Sequence, residues 1–134
     1  MKREIICSKR APQAVGPYSQ GVIINNMIFL SGQLPIDPAT GKAEKGDIKK
    51  QTELVLNNIK NALEEYGSSL NDVFKATVYM TDMSEFSEMN EVYARFFKEK
   101  FPARSAVEVS NLFNGLKIEI EVIGDFHSRS GREL

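Results

Sequence analysis

Four charged side chains in the last third of the chain are spaced to do chemistry together. In Lys117-Ile118-Glu119-Ile120-Glu121-Val122, apolar and charged residues alternate. On a β-strand this puts Ile118, Ile120 and Val122 on one face and Lys117, Glu119 and Glu121 on the other. The run Arg104 to Val109 alternates too, with Ser105, Val107 and Val109 on one side and Arg104, Ala106 and Glu108 on the other. If the two strands are neighbours, a guanidinium shares its face with the carboxylates. A guanidinium can grip a carboxylate ligand through two parallel hydrogen bonds, and a carboxylate can hold or move a proton. Other chemistries are poorly supplied. The single cysteine, Cys7, cannot make an internal disulfide, and the single histidine, His127, does not complete a convincing Cys/His zinc site with it. Cys7 reads as a small buried hydrophobe near the first strand and His127 as a surface residue near the tail.

The elements that must position these residues follow from periodicity. Arg3 to Cys7 reads as a short opening strand, and Ala11-Pro12 with Gly16-Pro17 makes 8–18 a loop. Ser19 to Asn25 and Met27 to Gln33 read as antiparallel strands joined at Asn25-Asn26, a pair that tolerates positive φ. Asp37-Pro38-Ala39-Thr40-Gly41 is a surface turn. From Ile48 the period becomes helical, through Thr52, Val55, Ile59, Leu63 and Tyr66, with Asp47 as N-cap and Gly67 as the stop. Val73 to Asp82 alternates, with Phe74, Ala76, Val78 and Met80 on the core side. Ser84 reads as a second N-cap for a helix striped by Phe86, Met89, Tyr93, Phe96 and Phe97, ending before Pro102. The strands Arg104–Val109 and Lys117–Gly124 close the chain.

This order is met by an α+β domain whose two helices cover one face of a mixed sheet. The 134 residues, 42% hydrophobic, suit one domain spanning 1–126 with a polar tail at 127–134. A formal charge of −1 removes the broad electrostatic case for nucleic acid as a partner. No apolar run spans a bilayer and the N-terminus carries no apolar leader, so the expected setting is cytoplasmic and away from membranes. Phe29, Ile23 and Tyr79 fall on the non-core parity of their strands. An uncovered sheet face carrying such residues points to contact with another chain, and a cleft between subunits would bring distant motifs together.

Several motifs occur together in one order: Gly16-Pro17-Tyr18-Ser19-Gln20-Gly21, Ser31-Gly32-Gln33-Leu34-Pro35, Asn90 in Met89-Asn90-Glu91-Val92-Tyr93, Pro102-Ala103-Arg104-Ser105, and Lys117-Ile118-Glu119-Ile120-Glu121. In these the chain resembles the Rid (reactive intermediate deaminase) family, also called YjgF-like. Pro-Ala-Arg-Ser followed about a dozen residues later by Ile-Glu-Ile is the specific part. The resemblance implies a chorismate-mutase-like fold assembled as a homotrimer with clefts at its interfaces. It also implies hydrolysis of 2-iminobutanoate and 2-iminopropanoate, or their enamines, to 2-oxo acids and ammonia.

On that resemblance Arg104 binds the substrate carboxylate, Glu119 orients water and moves protons, and Tyr18 lines the cleft and shares in proton transfer. Ser31 and Gly32 supply hydroxyl and backbone contacts, and Asn90 supports the pocket. No metal or organic cofactor is required, because a protonated imine is already electrophilic. Ala106 stands where some relatives have a cysteine, so it can offer only backbone contacts to substrate. Two other readings use the same residues: a non-catalytic trimer sensing small carboxylates, and an endoribonuclease or translation inhibitor. The near-neutral charge and lack of a basic aromatic stripe weigh against the latter.

Overall fold

The alternating runs become six strands and the helical stripes two helices in the computed structural model, which describes residues 2–127. In chain order these are β1 (Arg3–Ile6), β2 (Gly21–Ile24), β3 (Met27–Gln33), α1 (Ile48–Glu65), β4 (Val73–Met80), α2 (Phe86–Phe96), β5 (Ala103–Glu108) and β6 (Ile118–Asp125). Residues 128–134 of the expected tail lie outside the described residues. One mixed sheet runs β1-β2-β3-β6-β4-β5. Every pairing is antiparallel except β4 with β5. Among the described residues, no helix is long and apolar enough to cross a membrane.

Local signals account for the element ends. Asn25 takes the positive φ of the β2–β3 turn, at +55°. Asp47 accepts the Lys50 amide at the start of α1. Gly67, at φ +84°, ends that helix: its amide donates to the Glu64 carbonyl while Ser68 reaches back to Leu63. Ser84 does not cap α2: the N-cap position is Glu85, without a side-chain cap, and Asp82 caps the short turn that leads into the helix. The Asp82 carboxylate accepts both the amide and the hydroxyl of Ser84, which lies inside that 3-10 turn, Met83–Glu85.

The core lies between the helices and one sheet face. Val55, Leu56, Ile59 and Leu63 of α1 and Met89 of α2 are fully buried, as are Ile28, Ala76, Val78, Met80, Ile118 and Ile120 beneath them. A fully buried side chain of this size contributes about 1.5–3 kcal/mol relative to an exposed one, so this face dictates register.

Four expectations are corrected by that packing. Ile23 is core, paired with Ile28. Phe74 is exposed and Val73 takes the inward place, because the β4–β6 register slips by one residue between Val73 and Lys75 and reverses the parity. Cys7 is exposed just beyond β1, its amide donating to the Tyr66 hydroxyl. Most consequentially, β5 and β6 are not neighbours. β4 lies between them, and its inward residues Ala76 and Val78 pair with Arg104 and Ala106. Arg104 therefore belongs to the helix-covered face and Val107 to the open one.

Candidate active site

β6 carries Glu119 and Glu121 on the face away from the helices, both half-buried. Across the sheet they pair with Tyr79 and Thr77 of β4. The Tyr79 hydroxyl donates to Glu121 Oε1 at 3.0 Å. Burial, and then the negative charge of Glu121, holds the Glu119 carboxyl above its ordinary pKa. A bulge in β3 contributes to that burial. The β3–β6 register slips by one residue between Leu30 and Gln33, and Gly32 in that bulge gives way to the carboxylate. A Cβ at Gly32 would overlap Glu119 Oε2 and lie 2.8 Å from its Cδ.

Ser31 ties the bulge to the preceding loop. Its amide donates to the Gln20 carbonyl at 2.8 Å and its hydroxyl to the Ser19 carbonyl at 2.6 Å. Tyr18 is exposed, and with Gly32 it lines a cleft of 530 Å³ whose walls include Val15, Leu34, Ile36 and Phe113. Gln20 is 4% exposed and fastens the loop that carries Tyr18. Its Oε1 accepts the Ser8 amide, and its Nε2 donates toward the carbonyls of Ser8, Ala11 and Pro12.

Arg104 emerges through the other face, at the edge of the sheet beside α2. Its Nη1 donates to Asn90 Oδ1 at 2.7 Å. Its guanidinium carbon lies 4.7 Å from the centroid of the Tyr93 ring and 5.5 Å from that of Phe86. Asn90, Tyr93, Phe101, Pro102 and Arg104 enclose a recess of 400 Å³. Ala106 lies two residues along the same face of β5, packed on the core.

The expected site residues thus fall into two groups. Tyr18, Ser31, Gly32 and Glu119 gather at one surface; Arg104, Asn90 and Ala106 gather at another, with the sheet between. On the first surface the Glu119 carboxylate packs against Gly32, which lines the cleft with Tyr18; on the second, Arg104 has no carboxylate partner among the described residues. Gln20, Phe86 and Tyr93 were not singled out by sequence reasoning. Gln20 was visible only as part of the Gly-Pro-Tyr-Ser-Gln-Gly motif, while the two aromatics were accounted for as helix core.

The sequence pattern of the family described as Endoribonuclease L-PSP matches residues 8–125. The chain belongs to that family, known as Rid or YjgF-like. A RutC family protein of Pyrococcus abyssi is 54% identical over 123 residues, covering 92% of this chain and 97% of its own. A 2-iminobutanoate/2-iminopropanoate deaminase of Bos taurus is 42% identical over 121 residues, covering 90% and 88%. The crystal structure of a Rid-family protein of unknown function from Yersinia pestis matches with a TM-score of 0.90 at 44% identity, covering 92% of this chain and 99% of that one. The mixed α+β Rid fold read from the motifs is the fold observed.

Proposed function

We propose that this Rid-family chain hydrolyses reactive 2-imino acids such as 2-iminobutanoate and 2-iminopropanoate, and the enamines that give rise to them, in clefts between copies of a homotrimer. The observation that carries the reading is the setting of Glu119. A half-buried carboxylate with a raised pKa packs against Gly32, a side-chain-free residue that lines a cleft together with Tyr18. Its cationic complement, Arg104, faces the opposite way, so a second copy is needed to present it. The activity named for the Bos taurus relative agrees with this arrangement.

In this reading Arg104 of one copy takes the substrate carboxylate bidentately, which fixes the imine carbon relative to Glu119 of the next. Glu119 accepts a proton from a water whose oxygen bonds to that carbon, while the nitrogen gains a proton, giving a carbinolamine. A second proton transfer to nitrogen makes it a leaving group; the carbinolamine hydroxyl then gives its proton to Glu119 as the C=O bond forms and the C–N bond breaks, releasing ammonia and the 2-oxo acid. A carboxyl group whose pKa is lifted toward the working pH suits both halves of this exchange. Tyr18 lines the cleft and can relay one of these protons. The Gly32 backbone borders the water's position, and Asn90 orients Arg104. Ser31 acts through its backbone and through the loop it fastens. Ala106 limits the role of its position to the main chain.

The test couples a threonine dehydratase to this protein and follows decay of the imine. Acceleration at micromolar protein, abolished in Arg104→Ala, is the expected result. No acceleration would overturn the proposal, and calorimetric binding of 2-oxobutanoate without turnover would make the chain a carboxylate-binding trimer instead.

A further inference from the structure

We infer that Tyr93 and Phe86 are positioning residues which hold the Arg104 guanidinium ready for a carboxylate. The inference rests on reading Arg104 as the substrate anchor. Arg104 is half-buried, yet among the described residues no carboxylate pairs with it. Its charge is met by two ring faces, at 4.7 Å and 5.5 Å, and by one neutral amide oxygen, Asn90 Oδ1. An arginine kept for structure at a partly buried site would ordinarily find an acid. Here the rings stabilise the cation through their quadrupoles without occupying its in-plane donors. Only one of its five N–H groups goes to Asn90, and the others remain in the plane from which a carboxylate approaches. The cradle also restrains a long side chain before substrate arrives, so less rotamer freedom is lost on binding.

The ring of Tyr93, not its hydroxyl, performs this role. The hydroxyl is buried beside the guanidinium and, among the described residues, has no partner that meets full hydrogen-bonding geometry. Burial raises its pKa, and the positive charge of Arg104 and the closeness of the Arg104 donors to the hydroxyl oppose that rise. A phenylalanine at position 93 keeps the ring face and removes the unmet polar group.

Kinetics of Phe86→Leu, Tyr93→Leu and Tyr93→Phe in the coupled imine assay test this, together with the Arg104 Nε–H resonance of labelled protein. Loss of either ring should raise KM about tenfold and leave kcat within about twofold, since the anchor serves ground and transition states alike. Tyr93→Phe should retain wild-type KM. In wild type and Tyr93→Phe the Nε–H signal should be ring-current shifted and slow to exchange; both Leu variants should lose this. Unchanged KM in Phe86→Leu overturns the inference even if Tyr93→Leu fails to fold, and so does Tyr93→Phe behaving like Tyr93→Leu. If wild type neither binds nor turns over the imine, the proposed function fails separately. The resonance still decides the cradle, because an unshifted, fast-exchanging signal in wild type would overturn it.

Discussion

Arg104 and Glu119 leave the same sheet by opposite faces, on strands separated by β4. If they act on one substrate, they must come from different copies. Arg104→Ala and Glu119→Gln should then each be inactive alone and regain activity when unfolded and refolded as an equal mixture. Random assembly unites an intact arginine with an intact glutamate in about a quarter of the clefts, so about a quarter of wild-type turnover is expected. Mixtures as inactive as the parents would place both residues in separate functions.

At Gly32 a single methyl group should tell on activity rather than on folding. Its Cβ would meet the carboxylate of Glu119, with Cδ at 2.8 Å and Cγ at 3.1 Å. Glu119 is on an open face, so it can swing away at little cost to folding. Gly32→Ala should therefore lower kcat/KM by about a hundredfold, the scale of a displaced acid–base group, while the thermal midpoint moves little. Retained activity would remove Glu119 from the reaction.

The environment of Glu119 also fixes the sign of two pH effects. Its carboxyl ionises later in the folded chain than at the ordinary value of 4.5, because burial and then Glu121 disfavour the charge. Between those two pKa values the folded state holds more protons than the unfolded one, so stability falls as pH rises, and the loss is complete above the folded value. Glu119→Gln removes that penalty. Its melting temperature should match wild type below the ordinary carboxyl pKa and exceed it at neutral pH. The acid limb of kcat/KM should have its midpoint above 4.5, and Glu121→Gln should move that midpoint down. A limb indifferent to Glu121 would show that another group titrates there.

Much of this was legible from alternation because the core face of β6 is uniformly apolar. Ile118, Ile120 and Val122 admit one orientation, and with them Glu119 is placed. β5 could not be read that way. It is an edge strand on which the apolar Val107 faces outward, 41% exposed, while the charged Arg104 faces the helices. Two aromatic rings make that inward position tolerable for a cation, and they come from a helix whose stripe already accounted for them as core. The one-residue slips in β3 and β4 were hidden for a related reason, since parity arguments assume an unbroken ladder.

Gln20 gives the sharpest separation between shape and hydrogen bonding near the cleft. Its buried amide receives one N–H, from Ser8, and its Nε2 faces the carbonyls of Ser8, Ala11 and Pro12. Removing the amide in Gln20→Leu leaves buried groups unmet, at about 1–3 kcal/mol each, and loosens the loop bearing Tyr18. A melting temperature lower by at least about 5 °C is expected, with a several-fold rise in KM. Gln20→Glu conserves the shape but replaces the donor with a second acceptor facing three carbonyls, so it should be the less stable of the two at neutral pH. It should recover toward the leucine variant as acid protonates the carboxyl. If Gln20→Glu proved as stable as wild type, the amide would not be what holds the loop, and the placement of Tyr18 would need another cause.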